Sequence, residues 1–588
     1  MIIVTTPGGT KKFKRKVEEN RSTILGAAAN LSNDILGAGI AGIPYAVGQC
    51  GFVAGLIMIV ACAAMTDKSL RLLVETAKYS KTPTYETLSE AAFGRKGFLF
   101  IAINMFVFSY GSMVGYLMMV KETLPYVFGI VQENQRRVFL FCISLCVMVP
   151  ISSQRDMADL SKTSRMNVLF CTTIACLVAY LSPLEWSMEQ NGGFVEVVSS
   201  SVINFGTIFA GIGIFSYTYL VQHSAFIIAG SLQNPTRKRW ARVTFRSMVV
   251  CATVCLICGT FGYLSFLDTT KGNILDNFNP HSLLGNVART LLGIVMLFIY
   301  PIEAFVSRHV CVVIFFTGQS AHDGDDSTVL SRADRRIALT VAIYILAVIP
   351  AIIFVNLGPV LSLTGTIGGS CLSYMGPGAV YIGIHGNRFM ELANKYYGIR
   401  PNSESQPLDI EQDDDVDEDP NSDDGFLLRC WKFVSWYLFL MPIWYYIALV
   451  GSQGFERYKQ EESLKQKGMS RIDSMRDVPS AQSPAVNPMA GANKVMTSDN
   501  ILRTGSYGTL ISPKVAATGY QKPTRVFTGN FTTPEKWEEE RKKKEAPKVE
   551  DSQSNPTVLD FMIAVGFIIF GVVALFAGLL SLYVELFG

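Results

Sequence analysis

Charge is what this chain has least of. Only 17% of its 588 residues are Asp, Glu, Lys or Arg, where soluble globular chains carry about 25%. The net charge of +3 is too weak a bias for a nucleic-acid-binding surface. Histidines number five, His223, His281, His309, His322 and His385, and no two stand at metal-ligand spacing. No GxSxG, Walker or HExxH motif occurs, so the sequence gives catalysis little support. Cysteine pairs in polar loops are missing too: the twelve cysteines lie almost entirely inside apolar runs. That excludes a disulfide scaffold and a loop metal or redox motif, and leaves them as small hydrophobes in packed helices. The first 22 residues are polar and basic (KKFKRK) with no signal-peptide pattern, so the first apolar segment is expected to span and stay.

Apolar runs are what the chain has in excess. They fall at about residues 23–48, 51–76, 98–130, 137–152, 164–184, 202–230, 244–266, 283–316, 337–356, 359–385 and 557–585. Most are near 20 residues or longer, the length that crosses about 30 Å of hydrocarbon. They are apolar all round and sprinkled with Gly, Ala, Ser and Thr, as close helix packing in lipid requires. The reading is an all-α polytopic membrane protein of about eleven spans, at home in the lipid bilayer. Lys and Arg set its orientation. They crowd the loops on the N-terminal side, for example Arg237, Lys238, Arg239, Arg242 and Arg246. The opposite loops carry only Lys121, Arg136, Arg137 and Lys271, which places the N-terminus in the cytoplasm.

The expected organisation has six parts. Residues 1–22 form a cytosolic tail, and 23–390 a ten-helix core. Residues 391–425 form an acidic disordered loop (EQDDDVDEDPNSDD). The stretch 426–451 is crowded with Trp and Tyr, which prefer the headgroup level, and carries Pro442; it reads as interfacial or re-entrant. Residues 452–556 are a charged, disordered loop, and 557–588 hold the last span. The patterns DDGFLL (423–428) and YGTL (507–510) fit short sorting signals, which would make sorting adaptors partners of the cytosolic segments and fit a vacuolar, endolysosomal or plasma membrane.

Two spans are interrupted. The first, ILGAAANLSNDILGAGIAGIPYAVGQCG, clusters Gly37, Gly39 and Gly42 before Pro44; the sixth, SVINFGTIFAGIGIFSYTYLVQHSAFIIAG, carries Gly211 and Gly213. Proline removes a backbone donor, glycine lowers the cost of non-helical backbone, and such a break persists in lipid only where it faces protein or a cavity. Interrupted helices at corresponding positions of two halves point to a secondary transporter's midplane site. Half-helix N-termini suit a carboxylate and C-terminal ends an ammonium, so a zwitterion fits both. Gly37, Ala38, Gly39 and Ile40 are expected to offer backbone groups to the carboxylate. Ile212, Gly213 and Ile214 would receive the amine, with Phe215 and Tyr110 closing over the side chain.

Charges within the spans also call for a role. Asp34 lies in the first and Glu303 in the eighth, with Arg308 five residues on. A charge at the bilayer centre costs at least about 2.5–3.5 kcal/mol, so such groups default to functional hypotheses. Each is a candidate to carry a coupling proton. The structural readings are a Glu303–Arg308 pair, a packing role for Asp34, and a hydrogen-bonded structural histidine at His223.

NLSNDILGAGIAGIPYAVGQCG resembles the first helix of the amino acid/auxin permease family, closest to the branch of sodium-coupled neutral and vacuolar amino acid transporters. FSYTYLVQHSAF resembles that family's sixth helix and LTGTIGGSCLSYMGPGAVYI its tenth. The resemblance covers about residues 20–390 and the last span. It implies a five-plus-five inverted-repeat (LeuT/APC-like) transporter fold and amino acid transport by alternating access, coupled to H+ or Na+, with no other cofactor. Asn33 matches an ion-holding Asn of the sodium-coupled relatives. Their eighth-helix hydroxyl has no match at 291–299, where Thr290 is the nearest candidate. An amino acid sensor signalling through its cytosolic segments is the alternative.

Overall fold

A computed structural model describes residues 22–37, 39–153, 160–315, 332–397, 441–476 and 556–587. The chain divides into two units, 1–462 with 554–588, and 463–553. The first unit holds the apolar helices. The described residues are almost entirely helical. In order, the main helices are α1 (Ile24–Leu36), α2 (Gly39–Cys50), α3 (Phe52–Ser80), α4 (Tyr85–Val127), α5 (Glu133–Ile143) and α6 (Leu160–Leu181). Then come α7 (Ile208–Thr218), α8 (Gln222–Ser231), α9 (Arg237–Phe266), α10 (Leu283–Phe315) and α11 (Ala333–Ile353). The last are α12 (Leu357–Thr364), α13 (Gly376–Ile384), α14 (Gly386–Tyr397), α15 (Met441–Arg476) and α16 (Val558–Phe587). A wide, π-type stretch, Gly365–Met375, joins α12 to α13.

Nine helical segments among the described residues are long and apolar enough to cross a membrane. Residues 24–50 and 357–384 are apolar but interrupted. Local chemistry sets the boundaries. Thr23 Oγ1 accepts from the Gly26 N–H at the start of α1, and Thr236 caps α9 through the Arg239 N–H. Each cap satisfies a donor that a helix start leaves open. In α4, Gly94 sits at φ +63° and kinks the helix, a conformation glycine adopts without a Cβ penalty.

The first broken helix divides where the glycines predict, between Leu36 and Gly39. The second does not. Gly211 and Gly213 lie inside continuous α7, and the break falls at Tyr219–Val221. Those two glycines serve packing: a Cβ on Gly213 would stand 2.5 Å from Thr366 Oγ1, and one on Gly211 2.5 Å from Cys50 Sγ.

The two broken helices are clasped at both ends. Ser22, ahead of α1, bonds to Ser231 and Gln233 at the end of α8. At the other end Asn204 N–H donates to the Cys50 carbonyl and Thr207 Oγ1 to the Gln49 carbonyl, joining the end of α2 to the start of α7. The start of one broken helix thus meets the end of the other, so they run antiparallel, one opening each half of five spans.

Two further boundaries differ from expectation. The helix α15 continues to Arg476, into the stretch read as a charged loop. Gly451 and Gly454 let it approach the backbone at Gly383 and Ala92, and its polar portion is rich in strong helix formers, with a Lys459–Glu456 pair one turn apart. The α14 helix likewise runs to Tyr397, past the 390 boundary. The last span packs on the core: α16 lies on the wide stretch, its Gly571 against Met375 and its Gly578 against Thr366. The segments 402–425, 426–440, 423–428 and 507–510, like the tail 1–21, lie outside the described residues.

Candidate functional site

The site is assembled where the two breaks touch. A Cβ on Gly39, at the first residue of α2, would stand 2.5 Å from Thr218, the last residue of α7. Gly37 faces Ile299 of α10, and Gly42 faces Leu361 of α12. Four helix ends therefore converge: the C-termini of α1 and α7 carry partial negative charge and the N-termini of α2 and α8 partial positive charge.

Three ionisable side chains meet beside these ends. Asp34 lies in the last turn of α1, His223 in the first turn of α8, and Glu303 in α10 two residues past Pro301. His223 Nε2 is 3.4 Å from Glu303 Oε1 and 4.0 Å from Asp34 Oδ2. One ligand atom of each lies within 4.8 Å of the others. All three side chains are buried, at 1%, 2% and 7% exposure for His223, Glu303 and Asp34. With both carboxylates ionised and His223 protonated, the cluster carries a net charge of −1. In a low dielectric that excess favours a bound proton or cation over an open vacancy.

The surrounding groups fix the cluster's geometry. Ser224 Oγ donates to Asp34 Oδ2 and also lies 3.1 Å from the Val221 carbonyl. Asp34 thereby ties the first break to the first turn of α8. Gln222, wholly buried, holds the second break open. Its Oε1 accepts from the Val221 N–H at 3.0 Å and from Ser373 Oγ at 2.9 Å, and its Nε2 donates to Ser69 Oγ at 3.2 Å. Phe108 walls off His223 at a ring separation of 5.3 Å. Four polar atoms here lack a hydrogen-bond partner: Asn33 Oδ1, both ring nitrogens of His223 (Nε2 only facing Glu303 at ion-pair distance) and Glu303 Oε2. Buried polar groups are normally satisfied, so these mark places for a ligand, a proton or water.

The expected residues divide accordingly. Gly37, Gly39 and Ile40 border the first break, and Ala38 lies outside the described residues. Ile212, Gly213, Ile214 and Phe215 sit inside α7, where the helix itself uses their backbone groups; the Ile214 carbonyl also accepts from Thr218 Oγ1. They therefore offer no free backbone to an amine; the free carbonyl ends of this helix lie at its C-terminus instead. Tyr110 does not close over the break. Its hydroxyl donates to the Leu346 carbonyl of α11 at 2.8 Å, while the next residue, Gly111, faces Thr364. Thr290 donates to the Asn286 carbonyl of its own helix. It stands thirteen residues from Glu303, about 20 Å along the axis, too far to share an ion with it. Arg308 donates to the Ser152 carbonyl at 2.7 Å and to Thr340 Oγ1 at 3.0 Å, and Glu303 faces His223. Gln222 and Ser224 were not anticipated, although Gln, His and Ser in succession inside an apolar run are a readable signal.

Known proteins share this arrangement's sequence. The family model described as transmembrane amino acid transporter protein matches residues 20–397. A Bos taurus relative named "Putative sodium-coupled neutral amino acid transporter 11" is 29% identical over 367 residues, covering 60% of this chain and 75% of that protein. Vacuolar amino acid transporter 2 of Saccharomyces cerevisiae is 27% identical over 374 residues, covering 61% and 76%. Among solved structures, a nucleobase-cation-symport-1 family transporter aligns at TM-score 0.43 and 13% identity, over 64% of this chain and 80% of that one. With the matched region spanning both broken helices and most of the described helices, this multi-pass membrane chain belongs to the transmembrane amino acid transporter protein family.

Proposed function

We propose that the chain moves neutral amino acids across its membrane by alternating access, driven by a proton gradient that acts through Asp34, His223 and Glu303. The observation that carries this reading is the buried cluster itself. It joins α1, α8 and α10, so its protonation state is felt by both broken helices and by the helix behind them. The zwitterion is received by the first break at Gly37, Ala38, Gly39 and Ile40 and by the end of α7. Histidine suits proton carriage because its ordinary titration range lies near neutrality. Two charges from the substrate meet helix ends of opposite sign, so no fixed ionic residue is required for the carboxylate and the amine.

Sodium is the second reading, favoured by the free Oδ1 of Asn33 beside Asp34 and by the names of several relatives. Proteoliposomes holding the full chain separate the two. With twenty amino acids tested under imposed gradients, a proton gradient alone drives accumulation. Glu303→Gln and His223→Ala lower that accumulation at least about 100-fold, the scale of losing one essential proton-transfer group. Accumulation driven by sodium alone and unchanged in Glu303→Gln overturns the proton reading. Binding without any accumulation points to a sensor.

A further inference from the structure

A second polar constellation lies away from the breaks, on the side opposite the N-terminus, and the proposed transport cycle does not use it. A cavity of about 420 Å³ opens there between the end of α4, the loop 271–276 and the start of α12. That is within the size range of small-molecule sites, about 300–1,000 Å³. Tyr45 of α2 and Gly358 of α12 form part of its wall, a Cβ on Gly358 meeting the Tyr45 ring at 2.6 Å.

Its wall carries three cations, Lys121, Arg136 and Lys271, and three acids, Glu122, Glu133 and Asp276; Lys271 Nζ donates to the Asp276 carbonyl. Glu122 of α4 and Asp276 of the loop face each other within hydrogen-bonding reach. Arg136 lines the same cavity. Its Nη2 is taken by Glu133 and its Nη1 by the Tyr126 hydroxyl, while its buried Nε has no partner. Lys121 is spent on the Ala351 and Phe354 carbonyls. Asn273, 1% exposed, uses its Oδ1 to cap the Leu275 N–H and leaves its Nδ2 without a partner. A buried amide donor left open beside a carboxyl pair is costly unless something accepts from it.

We infer that this cavity is an outer binding site for a zwitterionic amino acid: the Glu122–Asp276 pair receives the ammonium, and Asn273 Nδ2 with Arg136 receives the carboxylate. The inference rests on the proposed amino acid transport and adds a second site to it. One ligand waits here while another occupies the breaks.

Equilibrium binding to the purified full chain tests it, with tritiated L-alanine, L-leucine and L-glutamine as separate probes. Wild type binds two moles of a transported probe per mole of protein. Asn273→Asp keeps the Oδ1 cap but turns the donor into a repelling acceptor, and weakens one of the two sites at least about tenfold. Glu122→Gln does the same from the ammonium side and keeps a wild-type melting temperature, and both variants retain the central site. One mole bound by wild type, with unchanged affinity in Asn273→Asp, overturns the outer site and leaves the transport reading standing. Failure of wild-type proteoliposomes to accumulate any amino acid strikes the transport reading instead, and the same comparison of stoichiometries still decides the outer site.

Discussion

At the scale of single residues, the site depends on polar side chains that lipid would otherwise exclude. Gln222 makes three buried hydrogen bonds that hold the second break in its unwound shape. Replacing it with Leu leaves the Val221 N–H and two hydroxyls in need of partners, at about 1–3 kcal/mol for each buried group left unsatisfied. The expected result for Gln222→Leu is a lower melting temperature together with loss of uptake, measured on the purified protein and in proteoliposomes. A wild-type melting curve would deny Gln222 its bracing role. Ser224→Ala should act differently. It removes the hydroxyl that Asp34 accepts from and costs about 1.5–3 kcal/mol, with a shifted pH profile of uptake as the diagnostic sign. Asp34 and Glu303 were legible beforehand because a charge in an apolar run has few innocent explanations. His223 was legible as a residue and not as a partner, since its meeting with Glu303 depends on how α8 and α10 cross. Tyr110 misled for a related reason: neighbouring helical residues point about 100° apart, and sequence does not say which of 110 and 111 faces α12 and which α11.

At the scale of elements, the loop between α9 and α10 is the most informative. It is pinned by Arg289, whose Nη2 donates to the Leu275 and Phe278 carbonyls at 2.8 and 2.7 Å, and it packs Gly272 against the backbone at Gly358. Burial pushes the Asp276 carboxyl from its ordinary 3.8 up to about 6, against the opposing pull of Lys271 in the same loop, Arg289 on α10, Glu122 on α4 and Arg136 on α5. A carboxyl held above its unfolded value favours the packed loop most when it is protonated. The contribution is fully present below about pH 3.8 and is lost as pH rises through about 6. Hydrogen exchange at 271–278 should therefore be slower at pH 5 than at pH 7.5 after correction for the intrinsic rate, and Asp276→Asn should erase the difference. Equal protection of wild type at the two pH values would refute this pH-dependent packing of the loop. The breaks show how far periodicity and glycine reach. Gly37 and Gly39 marked the first, where proline follows and where Gly39 must also stay small against Thr218. Gly211 and Gly213 marked a packing seam, and the true break at Tyr219–Val221 carries no glycine at all.

At the scale of the whole molecule, the two halves act on one another through the contact between their broken helices. Both ends of the pair are clasped by backbone hydrogen bonds, and the middle is joined by Ser224–Asp34 and by the approach of Gly39 to Thr218. Such a pair can tilt as one body against the helices around it, which is what alternating access asks of a five-plus-five arrangement. Motion of this kind requires that Gly39 and Thr218 bear directly on each other. The atoms nearest a Cβ on Gly39 all belong to the Thr218 side chain, at 2.5–2.7 Å. Gly39→Ala alone should therefore abolish most uptake and destabilise the protein by about 1–3 kcal/mol, the usual cost of overpacking. Thr218→Gly alone should cost less, since it lies at a helix end. In the double variant the added methyl occupies the space that the threonine vacates, so uptake should return and the two effects should fail to add by about 0.5–3 kcal/mol. Thermal melts and uptake of the two singles and the double close this cycle. Strict additivity would mean that the breaks do not bear on one another, and the shared site between them would have to be given up.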